Sequence, residues 1–286
     1  MPGVRHLSYG KADLFMRGIY LVVFVGLFSS SLNSINDAGN TVAAEQRAAE
    51  AKVLWEQALA AKGGRKRLYS VKNMVISSSS EYRTHRGRRN NMRREELLVF
   101  PDRVWKWEDY RPDVFGLRID MINYETLIRY VVTPDSKKED EIRRISGQPR
   151  WEDSGLINSQ VVYFMETRWI KPIPTAVRRG EVKKQQVSIV QTQVEGKRVD
   201  FALDPKTHLP IKVTFFYEPS GGLEGGSFSV YLSDYIEVAG VKVPQSLIAE
   251  DNSVFNSKIQ INVEYDERIF VTPTTVEAGP GAWRVK

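Results

Sequence analysis

The sequence predicts an α+β fold, mostly antiparallel β, and three observations carry that prediction. Between residues 187 and 265, apolar side chains recur at every second position: Val199, Phe201 and Leu203; Ile211, Val213, Phe215 and Tyr217; Phe228, Val230 and Leu232; Ile259, Ile261, Val263 and Tyr265. This is the period of half-buried strands. Turn chemistry separates the runs, at Glu195-Gly196, Asp204-Pro205, Pro219-Ser220-Gly221-Gly222 and Ala239-Gly240, so the strands follow one another as a meander with one apolar face. Two other segments, 43–62 and 156–170, repeat their apolar residues at helical spacing. A sheet with one apolar face needs a cover, and these helices can supply it.

In chain order, Arg5, Lys11 and Arg17 precede an apolar core at 18–28 and the small polar run 29–31. Charged, apolar and small residues in that order predict a secretory signal within residues 1–40, cleaved between Ser31 and Ala44. The apolar core is well short of the ~20 residues that span a bilayer. Export to a periplasm is therefore expected, with an N-terminal anchor in the inner membrane as the alternative.

The first helix, 43–62, puts Ala51, Leu54, Trp55, Ala58 and Leu59 on one stripe and stops at Gly63-Gly64. A strand follows at 74–83, and then RTHRGRRNNMRR, residues 83–94, the densest charge run in the chain. As a solvated hairpin tip this run needs no ligand; as a functional element it would grip phosphate or an anionic membrane surface. Strands are expected at 97–100 and 104–107 around the Pro101-Asp102 turn, and two more at 114–121 and 127–133. Residues 135–146 read as a short helix or an open loop.

The second helix, 156–170, gathers Ile157, Val161, Val162, Phe164, Met165 and Trp169 on one face and ends before Pro172 and Pro174. Arg168 falls inside that stripe on a helical wheel. Either it snorkels or bonds the last carbonyls of the helix, or it stands at a cavity mouth and pairs with a carboxylate or the polar head of a ligand. After Phe270 no periodicity is visible, so residues 41–272 form one domain and 273–286 an irregular tail.

Composition narrows the function. The excess of 41 Lys+Arg over 35 Asp+Glu is small and interspersed, which suits a soluble surface and argues against a nucleic-acid partner. With no cysteine, disulfides, thiolate metal sites and a lipidated N-terminal cysteine are excluded. His6, His85 and His208 lie in the signal region, the arginine-rich run and a turn, no serine sits in a nucleophile elbow, and the pairs Glu95-Glu96 and Glu250-Asp251 read as surface charge. Gly221-Gly222 and Gly225-Gly226 flank a loop between strands and open no helix, so they lack an anion-binding context. No enzyme, metal or cofactor is expected, and a monomer is.

Three stretches carry a resemblance to a known family: AAKGGRKRLYSVKNM (60–74), VDFALDPKTHLPIKVTFFY (199–217) and LSDYIEVAGVKVPQSL (232–247). With its order of helix, hairpins, helix and meander, the chain over 41–270 resembles the outer-membrane lipoprotein-sorting superfamily of LolA/LolB-like carriers. The resemblance implies a strongly curved, incompletely closed antiparallel barrel, helices over its concave face, and an apolar pocket for acyl chains. Those carriers keep an arginine in the cavity, and no motif here assigns it a position. Phe201, Val213, Phe215, Val230 and Ile261, with Met165, Arg168 and Trp169, are the residues expected to face such a cavity. The six tryptophans are more safely read as core. Two functions remain: a carrier or sensor of a lipid or acylated protein in the cell envelope, and an interaction module with a filled core that binds a protein partner. A cavity on the order of 300–1,000 Å³ favours the first.

Overall fold

The computed structural model describes residues 30–83, 89–111, 116–123, 126–132, 143–146, 155–218, 225–250, 253–270 and 279–285. The chain divides into two units, Met1–Val42 and Ala43–Lys286. In the first, the described residues from Ser30 onward are helical; the apolar core of the expected signal lies outside the described residues. The helix α1, Ser30–Ala61, thus begins well before the expected residue 43. Among the described residues no helix is long and apolar enough to cross a membrane.

The second unit is built on thirteen described strands: β1 (Asn73–Arg83), β2 (Arg89–Val99), β3 (Arg103–Asp109), β4 (Leu117–Asn123), β5 (Thr126–Val132), β6 (Arg143–Ser146), β7 (Ile173–Val182), β8 (Gln185–Val194), β9 (Lys197–Leu203), β10 (Pro210–Tyr217), β11 (Gly226–Val238), β12 (Val241–Ala249) and β13 (Val254–Ile261). They form one sheet in the order β6-β5-β4-β3-β2-β1-β13-β12-β11-β10-β9-β8-β7. Two meanders, β1–β6 and β7–β13, are fused where β1 pairs antiparallel with β13, Met74 opposite Ile261. Because β6 and β7 stand at the two edges, the sheet stays open, as a curved incomplete barrel requires. The stretch expected as helix or loop at 135–146 contributes strand β6 at its end; the rest of it lies outside the described residues.

The part of helix α1 within this unit, from Ala43, lies on the concave face. Ala51, Trp55, Ala58 and Leu59 are buried there, with Trp55 edge-on to Phe201 at 5.0 Å between ring centroids. A short helix, α2 (Arg65–Ser70), follows the glycine pair. Gly63 has φ 120°, and a Cβ on it would stand 2.3 Å from the Gly240 carbonyl oxygen. Only glycine lets the end of α1 close on the β11–β12 turn, where the Lys242 amide donates to the Lys62 carbonyl at 2.8 Å.

Helix α3, Leu156–Phe164, is shorter than the expected 156–170. Met165 turns out of helical geometry at φ 66°, and the Thr167 hydroxyl accepts from the Trp169 and Ile170 amides. Met165 and Ile170, beyond the helix, are nonetheless buried, which is why the spacing imitates a continued stripe. The inner core joins α1, α3 and the inward residues of both meanders, among them Met74, Leu98, Phe100, Val104, Val190, Phe201, Val213 and Leu232.

A second core lies on the outer face. Val75, Leu97, Trp105, Trp107, Ile119 and Met121 are covered by Ile269, Phe270 and Trp283. Residues 279–285 form turns without helix or strand, yet they pack onto the sheet. Glu95 holds them: its carboxylate accepts from the Gly281 amide and from Trp283 Nε1 at 2.7 Å.

Candidate functional site

Between α3 and the inward faces of β1, β2 and β10–β13 is a cavity of about 290 Å³. Its apolar wall is Phe215, Phe228, Val230, Leu247 and Phe255 from the strands and Val162 from α3. Phe215 and Phe228 stack at 4.8 Å with their planes 13° apart, and Phe228 is 39% exposed. Ser78, Arg94, Glu96, Ser257, Tyr163, Asn158 and Ser159 form the polar part of the lining. The phenol of Tyr163, bonded to Ser257, is pushed up to about 12 by burial.

The polar part continues into an ionic lattice on the same face of the sheet. Cross-strand register puts Arg94 opposite Glu108 and Glu108 opposite Arg118, and in the adjacent row Glu96 opposite Lys106 and Lys106 opposite Asp120. Signs alternate both along and across the strands. Arg94 pairs with Glu96, Arg118 with Asp120, and Lys106 lies 3.3 Å from Glu108 and 3.7 Å from Asp120. Burial works against the charge on Arg94, but the Glu96 and Glu108 carboxylates outweigh it and raise its pKa. Burial and the adjacent Glu108 push the Tyr110 phenol up to about 12.

A separate set of contacts pins the C-terminal end of α3 at the other side. Glu166, 4% exposed, accepts from Trp55 Nε1 at 3.0 Å, Arg65 Nε at 2.9 Å and the Tyr69 hydroxyl. Burial would raise its pKa, and these bonds, Arg65 foremost, lower it overall. The ammonium of Lys62, fully buried, donates to the Tyr163 carbonyl.

The residues expected in a cavity are divided by the structure. Phe215 and Val230 line it. Phe201 and Val213 are wholly buried in the inner core, Met165 likewise, and Ile261 packs half-buried against that core. Trp169 rests on Phe100, with ring centroids 5.8 Å apart. Arg168, expected on the helix, lies beyond its end, exposed and stacked over the Trp169 ring at 5.3 Å. Among the described residues that line the cavity, the cation is Arg94.

The sequence places Arg94 in an expected hairpin tip and Glu95-Glu96 among expected surface charges. The tip, 84–88, lies outside the described residues, but Arg94 belongs to β2 and faces inward, and both glutamates are buried. Arg93, on the opposite face, pairs with Asp109 at 2.6 Å and covers the Trp107 ring. The signal for Arg94 was the alternation itself, because 94 and 96 share a register with the inward residues Leu98 and Phe100. Among the described residues no group of three or more His, Cys, Asp or Glu is placed to hold a metal ion.

No family model and no curated protein matches the chain. Among solved structures, the chain is similar to the LolA superfamily protein NE2245 from Nitrosomonas europaea, 11% identical, covering 78% of this chain and 97% of that one, with a TM-score of 0.48. A putative outer membrane lipoprotein-sorting protein domain from Vibrio parahaemolyticus is 13% identical over 75% of this chain and 96% of its own, with a TM-score of 0.43. The MucA/MucB complex of Pseudomonas aeruginosa matches at 9% identity over 75% and 94%, with a TM-score of 0.20. At such identities and scores no function passes from them to this chain, whose own strand order defines its fold.

Proposed function

We propose that the protein is a non-enzymatic binder of acyl chains in the cell envelope, acting as a carrier or sensor of a lipid or an acylated protein. One observation carries the reading: the inner core is close-packed around Phe201 and Val213 yet leaves about 290 Å³ beside Phe215, Phe228, Val230, Leu247 and Phe255. That volume is at the low end of ligand sites, on the order of 300–1,000 Å³. It suits one chain better than several. Arg94, charged and adjoining the apolar wall, supplies the polar contact that fixes which end of an amphiphile enters. Export through the charged, apolar and small segment at the N-terminus would bring the protein to its ligand.

Mass spectrometry of small molecules co-purifying with the full chain expressed in a Gram-negative envelope tests this reading. An acylated species close to one per protein is expected. Protein that carries none and takes up no fatty acid on addition would favour the protein-binding module.

A further inference from the structure

The lattice beside the cavity is not what the fold needs. At the other end of the same strands, the same inward register carries Leu98, Phe100, Val104 and Ile122, all part of the inner core. Hydrophobic residues of similar volume would serve as well or better for stability alone than ion pairs whose carboxylates are buried and whose cations are partly exposed. Here that register carries Arg94, Glu96, Lys106, Glu108, Arg118 and Asp120 in strict alternation of sign, three cations and three carboxylates. Glu96, Glu108 and Asp120 are 5%, 5% and 4% exposed.

The lattice is also incompletely bonded. Arg94 Nε and Glu108 Oε2 are buried, and among the described residues neither makes a hydrogen bond. The contacts nearest to them are ion-pair distances of 3.8 Å, from Arg94 Nε to Glu108 and from Arg118 Nε to Glu108 Oε2. A buried donor and a buried acceptor left open side by side call for a group that accepts at one and donates at the other. A fatty acid carboxylate answers only the donor. A lone ammonium answers only the acceptor. Since the lattice is neutral in sum, an anionic head would also leave the carboxylates facing like charge.

Resting on the acyl-chain reading above, we infer that the lattice of Arg94, Glu96, Lys106, Glu108, Arg118 and Asp120 is a subsite for a zwitterionic head group carrying a phosphate and an N–H-bearing ammonium. The phosphate accepts from Arg94, and the ammonium donates to Glu108. The acyl chain lies along Phe215, Phe228 and Val230, in the cavity whose lining also includes Arg94 and Glu96, the edge of the lattice.

Equilibrium binding of four lauroyl amphiphiles to the full chain tests the inference: lysophosphatidylethanolamine, lysophosphatidylcholine, lysophosphatidylglycerol and monoacylglycerol, each below its micelle concentration. The ethanolamine lipid is expected to bind about tenfold or more tightly than the other three, the effect of one added charge-assisted hydrogen bond. Glu108→Gln is expected to reduce that preference at least severalfold. Equal affinity for all four, or preference for the anionic glycerol lipid, overturns the head-group inference and leaves the acyl reading standing. Binding of none of them overturns both. The parent series decides the matter even if the Glu108 variant does not fold.

Discussion

Lys62 is the residue whose chemistry is most at odds with its surroundings. It is fully buried at the end of α1, its ammonium donating to the Tyr163 carbonyl and standing 5.0 Å from the Tyr235 ring centroid. Burial holds its pKa well below the ordinary 10.5. A lysine whose folded value is depressed binds fewer protons folded than unfolded, so stability rises with pH through the window between the two values. The penalty is complete below the folded value and gone above 10.5. Lys62→Met keeps the volume and removes the charge; at neutral pH it is expected to match or exceed the parent, by up to roughly 3 kcal/mol. That advantage should shrink as pH approaches 10.5. Urea denaturation at neutral and alkaline pH measures both. A variant clearly less stable at neutral pH would mean that the carbonyl bond and the ring contact outweigh the cost of burial.

Among the elements, the segment ending in Trp283 behaves as a clasp on the outer face. Its indole is 4% exposed over Trp105 and Leu97, and the Trp283 carbonyl accepts from the Asp266 amide at 2.7 Å. Trp283→Ala is expected to cost roughly 3–5 kcal/mol, because it opens a cavity in the second core and strips Glu95 of a buried partner. Chemical denaturation reads this directly, and a loss under about 1 kcal/mol would show the clasp to be decorative.

The same elements show where sequence reading stops. In β8–β13 the alternation of Val199, Phe201 and Leu203 pointed to a buried face, although Asp200 and Ala202 on the other side are buried too, Ala202 beside Val182, Val187 and Ile189; Glu195-Gly196 and Ala239-Gly240 turn with positive φ as their chemistry demands. His208, in the turn before β10, also takes a left-handed φ of 57°. In β2–β4 the alternation was equally clear, yet it identifies only which residues share a face and not what covers that face. Two cores, one on each side, invert the usual reading, so Trp105 and Leu97 face the clasp and Arg94 and Glu108 face inward. The end of α3 was hidden for a related reason, since Met165 and Ile170 are buried by tertiary packing whatever their backbone does.

At the level of the whole molecule, an open sheet with edges at β6 and β7 must fill its concave side with something other than its own strands. Helix α1 fills one part tightly, with Trp55 against Phe201, while the smaller α3 leaves the space that Arg94, Phe228 and Val230 surround. Capacity to bind therefore depends on that unfilled volume, and a side chain grown into it should abolish binding without disturbing the sheet. Ala249 lines the cavity at the end of β12, opposite Val230. The most direct measurement is titration of the parent and of Ala249→Trp with a fluorescent fatty acid, alongside their urea midpoints. Saturable one-to-one binding by the parent, weakened about tenfold or more in a variant of near-parental stability, is the predicted result. No saturable binding by the folded parent, or equal binding by the filled variant, would contradict it.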